Sequence, residues 1–340
     1  MSKFTRRSFI KIAGVAGLAL LSGCQDGGAG SRSGSTSTDA VTPLPIPTEL
    51  IITPTNELFV ESHARIPQVM ETDWRLRVFG LVEREFELTY EDVLRYPKME
   101  AIRTLECIGN PPGGPLVGNA AWGGFEAKHI WDQVGILPSA VRGRFTAADG
   151  YDTSVDLEWL TQPGVLMAYE LNGMPLPQEH GFPLRILMPG LYGQKMPKWI
   201  TGIEFVDDKP LGYWEQRGWS DVASVKTNSI LWHPDGTRKL RSGSIPIYGM
   251  AFAGLRRIVK VEVRIDDGDW FEAQLQPQES SLVWTQWSFT TPVGLGNHTV
   301  SVRATDETGF VQDSDASAVY AGPYPDGTDE IHTVAFVVGD

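Results

Sequence analysis

Cysteine is scarce: the 340-residue chain has two, Cys24 and Cys107. So few thiols exclude a disulfide-dense fold, a cysteine-rich zinc site, a four-cysteine iron–sulfur cluster and a C-x-x-C-H haem attachment. Positive charge is scarce too. Lys and Arg number 29 against 42 Asp and Glu, a formal net charge of −13, and no basic run follows the first residues. A nucleic-acid partner would need a basic face to meet its phosphates, so that class is excluded. Long apolar runs are also missing. The run over residues 12–21 is shorter than the ~20 residues a membrane-spanning helix needs. What remains is a chain with 41% hydrophobic residues, enough to bury cores in two domains, and no internal repeat.

The first residues read as an address. Thr5-Arg6-Arg7-Ser8-Phe9-Ile10-Lys11 looks like a twin-arginine export signal, and the apolar run after it serves as the signal's hydrophobic region. Leu21-Ser22-Gly23-Cys24 resembles a lipoprotein box, which would make Cys24 the acylated first residue of the mature chain. Residues 1–23 are therefore expected to be a signal peptide. Residues 24–47, rich in Gly, Ser, Thr and Pro, are expected to be a flexible tether. The expected location is outside the cytoplasm, on a membrane facing the periplasm or cell exterior. Cys107 is then the single sulfur left for chemistry in the mature fold.

Two kinds of pattern divide the rest. Over 48–235, short apolar strands, helix-like pieces and many Gly/Pro turns predict an α+β domain. Trp74-Arg75-Leu76-Arg77-Val78-Phe79-Gly80 alternates as a strand does, and Thr89-Tyr90-Glu91-Asp92-Val93-Leu94 reads as a capped short helix. Over 236–340 the pattern is all-β. Val259, Val261, Val263 and Ile265 alternate with charged residues before an Asp266-Asp267-Gly268-Asp269 turn, and residues 299–304 alternate again before Asp306-Glu307-Thr308-Gly309. Several antiparallel strands at such spacing suggest an immunoglobulin-like sandwich. The boundary is expected near residues 230–245, at the His233-Pro234-Asp235-Gly236 turn.

The chemistry concentrates around Cys107. Thr104-Leu105-Glu106-Cys107-Ile108-Gly109-Asn110-Pro111-Pro112-Gly113-Gly114 is a short strand ending in a rigid loop, where a thiol can reach a ligand. Most free cysteines are small buried hydrophobes, so the context has to decide. That context is a set of runs in order: Leu105 to Asn110, then Gly118-Asn119-Ala120-Ala121-Trp122-Gly123-Gly124. Ala168-Tyr169-Glu170-Leu171-Asn172-Gly173-Met174-Pro175-Leu176-Pro177 and Glu179-His180-Gly181-Phe182-Pro183-Leu184-Arg185 follow, and Pro189-Gly190-Leu191-Tyr192-Gly193 leads to Lys198-Trp199. Together they resemble the sulfite oxidase family, over roughly residues 50–340.

The resemblance implies a molybdenum-molybdopterin cofactor, with Cys107 as the metal's protein ligand, and no haem or iron–sulfur cluster. A soft thiolate suits a redox-active metal, and cationic donors suit the pterin's phosphate tail. By resemblance Arg185 and Lys198 grip that tail, while His63, His180 and Asp149 hydrogen-bond the pterin. Tyr151 faces the metal's oxo ligand, and Arg256 reaches the substrate pocket from the sandwich domain. The remaining histidines, His129, His233, His298 and His332, lack metal-ligand spacing.

The pattern departs from animal and plant sulfite oxidases at Glu61 and at Pro111-Pro112, where that family carries arginine. A carboxylate at Glu61 would repel a dianionic oxyanion. The implied reaction is a two-electron oxygen-atom transfer with a small oxo donor or acceptor. The reverse reaction, reduction of sulfoxides or N-oxides, is an alternative; a non-enzymatic surface-binding lipoprotein is another. Electrons would pass to a separate carrier such as an exported cytochrome, and the sandwich would make a homodimer.

Overall fold

The computed structural model describes residues 40–312 and 322–340. The export signal, Cys24 and most of the expected tether lie outside the described residues. Among the described residues no helix is long and apolar enough to cross a bilayer.

The first unit rests on two sheets. One runs in the order Phe86–Leu88, Leu76–Gly80, Ile200–Val206, Arg142–Ala147, Asp152–Asp156, with Leu76–Gly80 parallel to Ile200–Val206. The other runs Met99–Glu106, Val117–Glu126, Leu166–Leu171, Met174–Pro175, and Arg185–Leu187 also pairs with Leu166–Leu171. Leu76 and Val78 are fully buried while Arg77 between them is exposed, as the alternation predicts. Trp122, Phe125, Ile130, Phe145, Leu166 and Ile203 complete the shared core.

Helix is a minor component. Tyr90–Leu94 begins at Thr89 in a reciprocal cap: the Asp92 backbone N–H donates to the Thr89 hydroxyl, and the Thr89 N–H donates to the Asp92 carboxylate. Lys128–Val134 stops after 7 residues at Gly135, which takes a left-handed φ of 63°. Leu157–Leu160 is one turn. The expected α+β mixture is thus dominated by strands, because turns interrupt the helix-like pieces before they lengthen.

The second unit has two sheets around one core. Asn228–His233, Gly243–Phe252, Thr285–Val293 and Gln274–Leu275 form the first. Lys239–Arg241, His332–Gly339, Gly296–Asp306, Ile258–Ile265 and Phe271–Glu272 form the second. Ile245, Ile247, Val261, Val263, Trp287, Val300, Val302 and Phe336 meet between them. The change of unit comes earlier than the expected division at 235/236, since Asn228–His233 pairs with Gly243–Phe252. The alternation over 258–265 also holds only in part. A register shift between Ile258 and Lys260 turns Val259 outward, 52% exposed, and puts Ile258 in the core in its place.

A third cluster joins the units. Ile108 and Tyr192 from the first pack with Ile230, Met250, Phe252 and Trp284 of the second, together with Val225 from the connecting segment.

Candidate active site

Strand Met99–Glu106 delivers Cys107 to the rim of a cleft of about 290 Å³. The loop after it is fixed by its own polar groups. The Cys107 N–H donates to the Leu116 carbonyl, the Asn110 N–H to the Cys107 carbonyl, and the Leu116 N–H to the Asn110 side chain. The Asn110 amide in turn donates to the buried Glu106 carboxylate. Gly113 has to be glycine, because φ is 69° and a Cβ would sit 2.1 Å from the His332 ring nitrogen. His332 comes from the second unit, so the cysteine loop is braced by both.

The Cys107 sulfur has the Gly109 N–H pointing at it from 3.4 Å. Burial pushes the thiol's pKa up to about 11, with smaller contributions from Glu61 and Glu106. The free thiol stays protonated at neutral pH, whereas a bound metal ion would take the proton's place. Among the described residues no group of three or more His, Cys, Asp or Glu side chains could hold a metal ion. A metal on Cys107 therefore needs its other ligands from a cofactor.

Cationic groups line the same cleft as the thiol. Gly181, at φ 111°, lets the chain turn sharply after His180; a Cβ there would meet the Cβ atoms of Lys198 and Arg185 at 3.0 and 3.2 Å. That close approach gathers His180, Arg185 and Lys198. Arg185 is buried over the Trp122 ring, and one guanidinium nitrogen donates to the His180 carbonyl at 3.1 Å. Its Nε has no partner, and among the described residues no carboxylate is in ion-pair reach. Burial brings its pKa down to about 9.

Lys198 donates to the carbonyls of Glu61 and Glu179 at 2.8 and 3.0 Å, and desolvation followed by the Arg185 charge lowers its pKa to about 7. His180 Nε2 lies 3.1 Å from the Thr55 carbonyl, which fixes the proton on that nitrogen. Burial, then Arg185, holds its pKa at about 4, so it is neutral. His63 Nδ1 lies 3.1 Å from the Asp149 carboxylate, and its ring packs edge-on against Tyr213. Asp149 also accepts the Tyr151 N–H. The Tyr151 hydroxyl donates to the Gln194 carbonyl at 2.6 Å.

His63, Cys107, Asp149, Tyr151, His180, Arg185 and Lys198 all line this one cleft. Arg256 does not. Its Nε donates to Asp306 at 2.7 Å, and an Nη donates to the Val225 carbonyl at 3.0 Å, which holds it at the base of the second unit. Asp306 is almost fully buried, so the arginine serves to balance its charge. The cleft also contains residues that motif reading passed over: Phe59, Gln194, Trp214 and Trp219. Trp214 and Trp219 belong to Gly212-Tyr213-Trp214-Glu215-Gln216-Arg217-Gly218-Trp219, and that density of aromatics was the signal available. Trp219 is held edge-on by Tyr324, their ring centres 5.2 Å apart.

Residues 63–214 match the family model described as the oxidoreductase molybdopterin binding domain. Residues 220–321 match the Mo-co oxidoreductase dimerisation domain. A relative from Bacillus subtilis, the uncharacterized oxidoreductase YuiH, is 36% identical over 44% of this chain and 73% of its own. The chain belongs to the sulfite oxidase family of molybdopterin oxidoreductases.

Sulfite oxidase of Gallus gallus is 27% identical over 83% of this chain and 72% of its own length. The mitochondrial sulfite oxidase of Homo sapiens is 25% identical over the same 83%, and the match spans 61% of the human protein. The chain thus spans about three-fifths of the mammalian relatives it matches. The crystal structure of the sulfane dehydrogenase SoxCD from Paracoccus pantotrophus shares the fold, with a TM-score of 0.76 at 23% identity over 86% of this chain and 84% of that one. The family's cofactor domain, as matched here, begins at His63 and ends at Trp214, and both side chains line the cleft.

Proposed function

We propose that this protein is a molybdenum-cofactor oxidoreductase that transfers an oxygen atom to or from a small substrate, with Cys107 as the metal's protein ligand. The observation that carries the proposal is the meeting of a lone thiol with Arg185, a buried cation whose Nε is unpartnered, in one cleft. A bare guanidinium at such a place costs stability unless an anion completes it. The cleft's volume is near the ~300 Å³ at which small-molecule sites begin.

When bound, a molybdenum–pterin group supplies exchange of one oxygen atom and two electrons with the substrate. The chain supplies position and charge. Cys107 would give up its proton and hold the metal through its sulfur. Arg185 and Lys198 would hold the anionic phosphate tail, Arg185 with its unpartnered Nε as one available donor. Neutral His180 keeps Nδ1 as an acceptor while its other nitrogen is tied to Thr55. Asp149 lies 3.1 Å from His63 Nδ1. Tyr151, its hydroxyl spent on Gln194, contributes a wall more than a donor. Trp214 and Trp219 give the cleft apolar wall.

Glu61 supports a substrate reading. It is the carboxylate at a position where an oxyanion pocket would want a cation, and Arg256 is engaged elsewhere. An uncharged oxide therefore fits better than sulfite, and reduction of sulfoxides or N-oxides is the favoured direction within the family's chemistry. The same reading takes the protein as exported and lipid-anchored at Cys24, with the two-sheet unit immunoglobulin-like and forming a homodimer, as the name of its matched family suggests. Electrons reach it from a separate carrier, and the net charge of −13 favours a basic one.

The test is metal and pterin content of purified protein from a cofactor-competent host, with turnover of sulfite and of methionine sulfoxide in the same preparation. Molybdenum near one per chain with sulfoxide turnover is expected. Absence of molybdenum would remove the proposal, and sulfite turnover alone would reverse its substrate assignment.

A further inference from the structure

Behind the cleft lies a second cavity, of about 20 Å³, at the junction of the two units. Leu105 and Met196 line both, so they form the wall between them. The charged side chain in the smaller cavity is Arg103, on the same strand as Leu105 and four residues before Cys107. Strand alternation sends residues 103, 105 and 107 to one face. Phe252 and Leu282 close the cavity from the second unit.

Arg103 is 8% exposed, and its Nε and Nη1 have no hydrogen-bond partner. Among the described residues no carboxylate comes within ion-pair distance, Glu126 acting only at longer range. Burial lowers the guanidinium's pKa to about 10. A buried cation with two idle donors facing a void is a costly arrangement unless something fills it. The void has room for one occupant of about water size.

A water molecule would need acceptors for its own protons, and the carbonyls of residues 188–190 and 282 each already receive one hydrogen bond. The Met188 carbonyl receives the Leu191 N–H, the Pro189 carbonyl the Gln162 amide, and the Gly190 carbonyl the Val225 N–H. The Leu282 carbonyl receives the Thr104 N–H at 2.9 Å. The Thr104 hydroxyl receives the Trp284 N–H and donates to the Asn119 side chain. The other walls, Trp122 and Met196 among them, are apolar. The two unpartnered guanidinium N–H groups of Arg103 are the unspent donors at this cavity, and a positive charge with idle donors is what an anion requires.

We infer that Arg103 marks a binding site for one small monovalent anion of the halide class, held between the two units. It is distinct from the proposed cofactor cleft and does not depend on it. The bound anion completes the guanidinium and ties strand Met99–Glu106 to the 188–191 loop and to the second unit through Phe252 and Leu282.

Two measurements test this on the full chain. In crystals grown in sodium bromide, an anomalous bromine peak is expected in contact with Arg103 Nε and Nη1. Density there without anomalous signal would identify water and overturn the inference. In solution, sodium chloride titrated against sodium gluconate at constant ionic strength should raise the melting temperature saturably, by about 5–10 °C at a hundredfold excess over the dissociation constant. Arg103→Met should abolish that response; an equal response in the variant would place the halide elsewhere and defeat the assignment. Should the variant fail to fold, the bromide peak decides alone.

Discussion

Replacing Arg185 by methionine separates what the cleft does for the fold from what it does for a ligand. The guanidinium is 3% exposed, its Nε is unpartnered, and burial has brought its pKa from the ordinary arginine value down to about 9. At 1.36 kcal/mol per unit that depression corresponds to about 5 kcal/mol against carrying the charge, an upper bound on what removing it could return. Replacing buried charges with apolar side chains of similar volume recovers about 1–4 kcal/mol in practice. Losing the bond to the His180 carbonyl takes back about 1–2 kcal/mol. The cofactor-free Arg185→Met protein should therefore be more stable than wild type by about 1 kcal/mol, or about 2–4 °C in melting temperature.

Cofactor retention should move the opposite way. Each charge-assisted bond to a phosphate is worth about 1.5–3 kcal/mol, so one or two lost bonds weaken retention by at least about tenfold. The assay is denaturant unfolding of protein from a cofactor-deficient host, beside molybdenum content of protein from a competent one. A variant that is less stable without cofactor and still fully loaded would refute the reasoning at both ends. It would mean that Arg185 is a structural residue whose charge finds a partner within the protein.

Cys107→Ser should leave the melting temperature of cofactor-free protein within a few degrees of wild type and abolish turnover, with molybdenum content falling; unimpaired activity would remove Cys107 from the metal. Arg256→Ala should cost about 1–3 kcal/mol by stranding the buried Asp306 carboxylate, and should leave KM for sulfite and sulfoxide unchanged. A raised KM at constant stability would return Arg256 to the substrate. Glu61→Gln should lower KM for sulfite by several-fold, with less effect on a neutral sulfoxide, and equal effects on both would remove charge repulsion as the cause. The last concerns pH. His332 accepts the Leu231 N–H at Nδ1, and burial holds its pKa at about 4. Unfolded, it titrates near 6.5, so its contribution to stability is full above pH 6.5 and is lost as the pH falls toward 4. Denaturant melts at pH 7 and pH 5 should differ by about 1–2 kcal/mol from this residue alone, a difference that His332→Gln should remove.

That these residues share one cleft, the proposed cofactor site, was legible because they are local punctuation. Cys107 sits at a strand end before a Pro/Gly loop, and His180 and Arg185 flank a glycine whose positive φ only glycine tolerates cheaply, so sequence neighbours become cleft neighbours. The short helix at Thr89 was readable for the same reason, its capping box lying within four residues. Trp219 was harder. Its place depends on Tyr324, more than a hundred residues away, and no periodicity links the two.

Arg256 shows why long-range geometry escapes such reading. Nothing in Gly254-Leu255-Arg256-Arg257 says whether the side chain turns toward the cleft or back along the sheet. The choice is made by Asp306, at the far end of the strand paired with Ile258–Ile265, which is buried and holds two threonine hydroxyls as well as the arginine. A buried carboxylate without a cation is costly, so Asp306 claims the nearest one. That claim bears on function. With Arg256 committed at the base of the second unit and Glu61 at the cleft, the described cleft offers a dianion only Arg185 and Lys198, the two cations that the anionic tail of a pterin would already occupy. On the proposed reading, a substrate selected by this arrangement would bring no charge of its own.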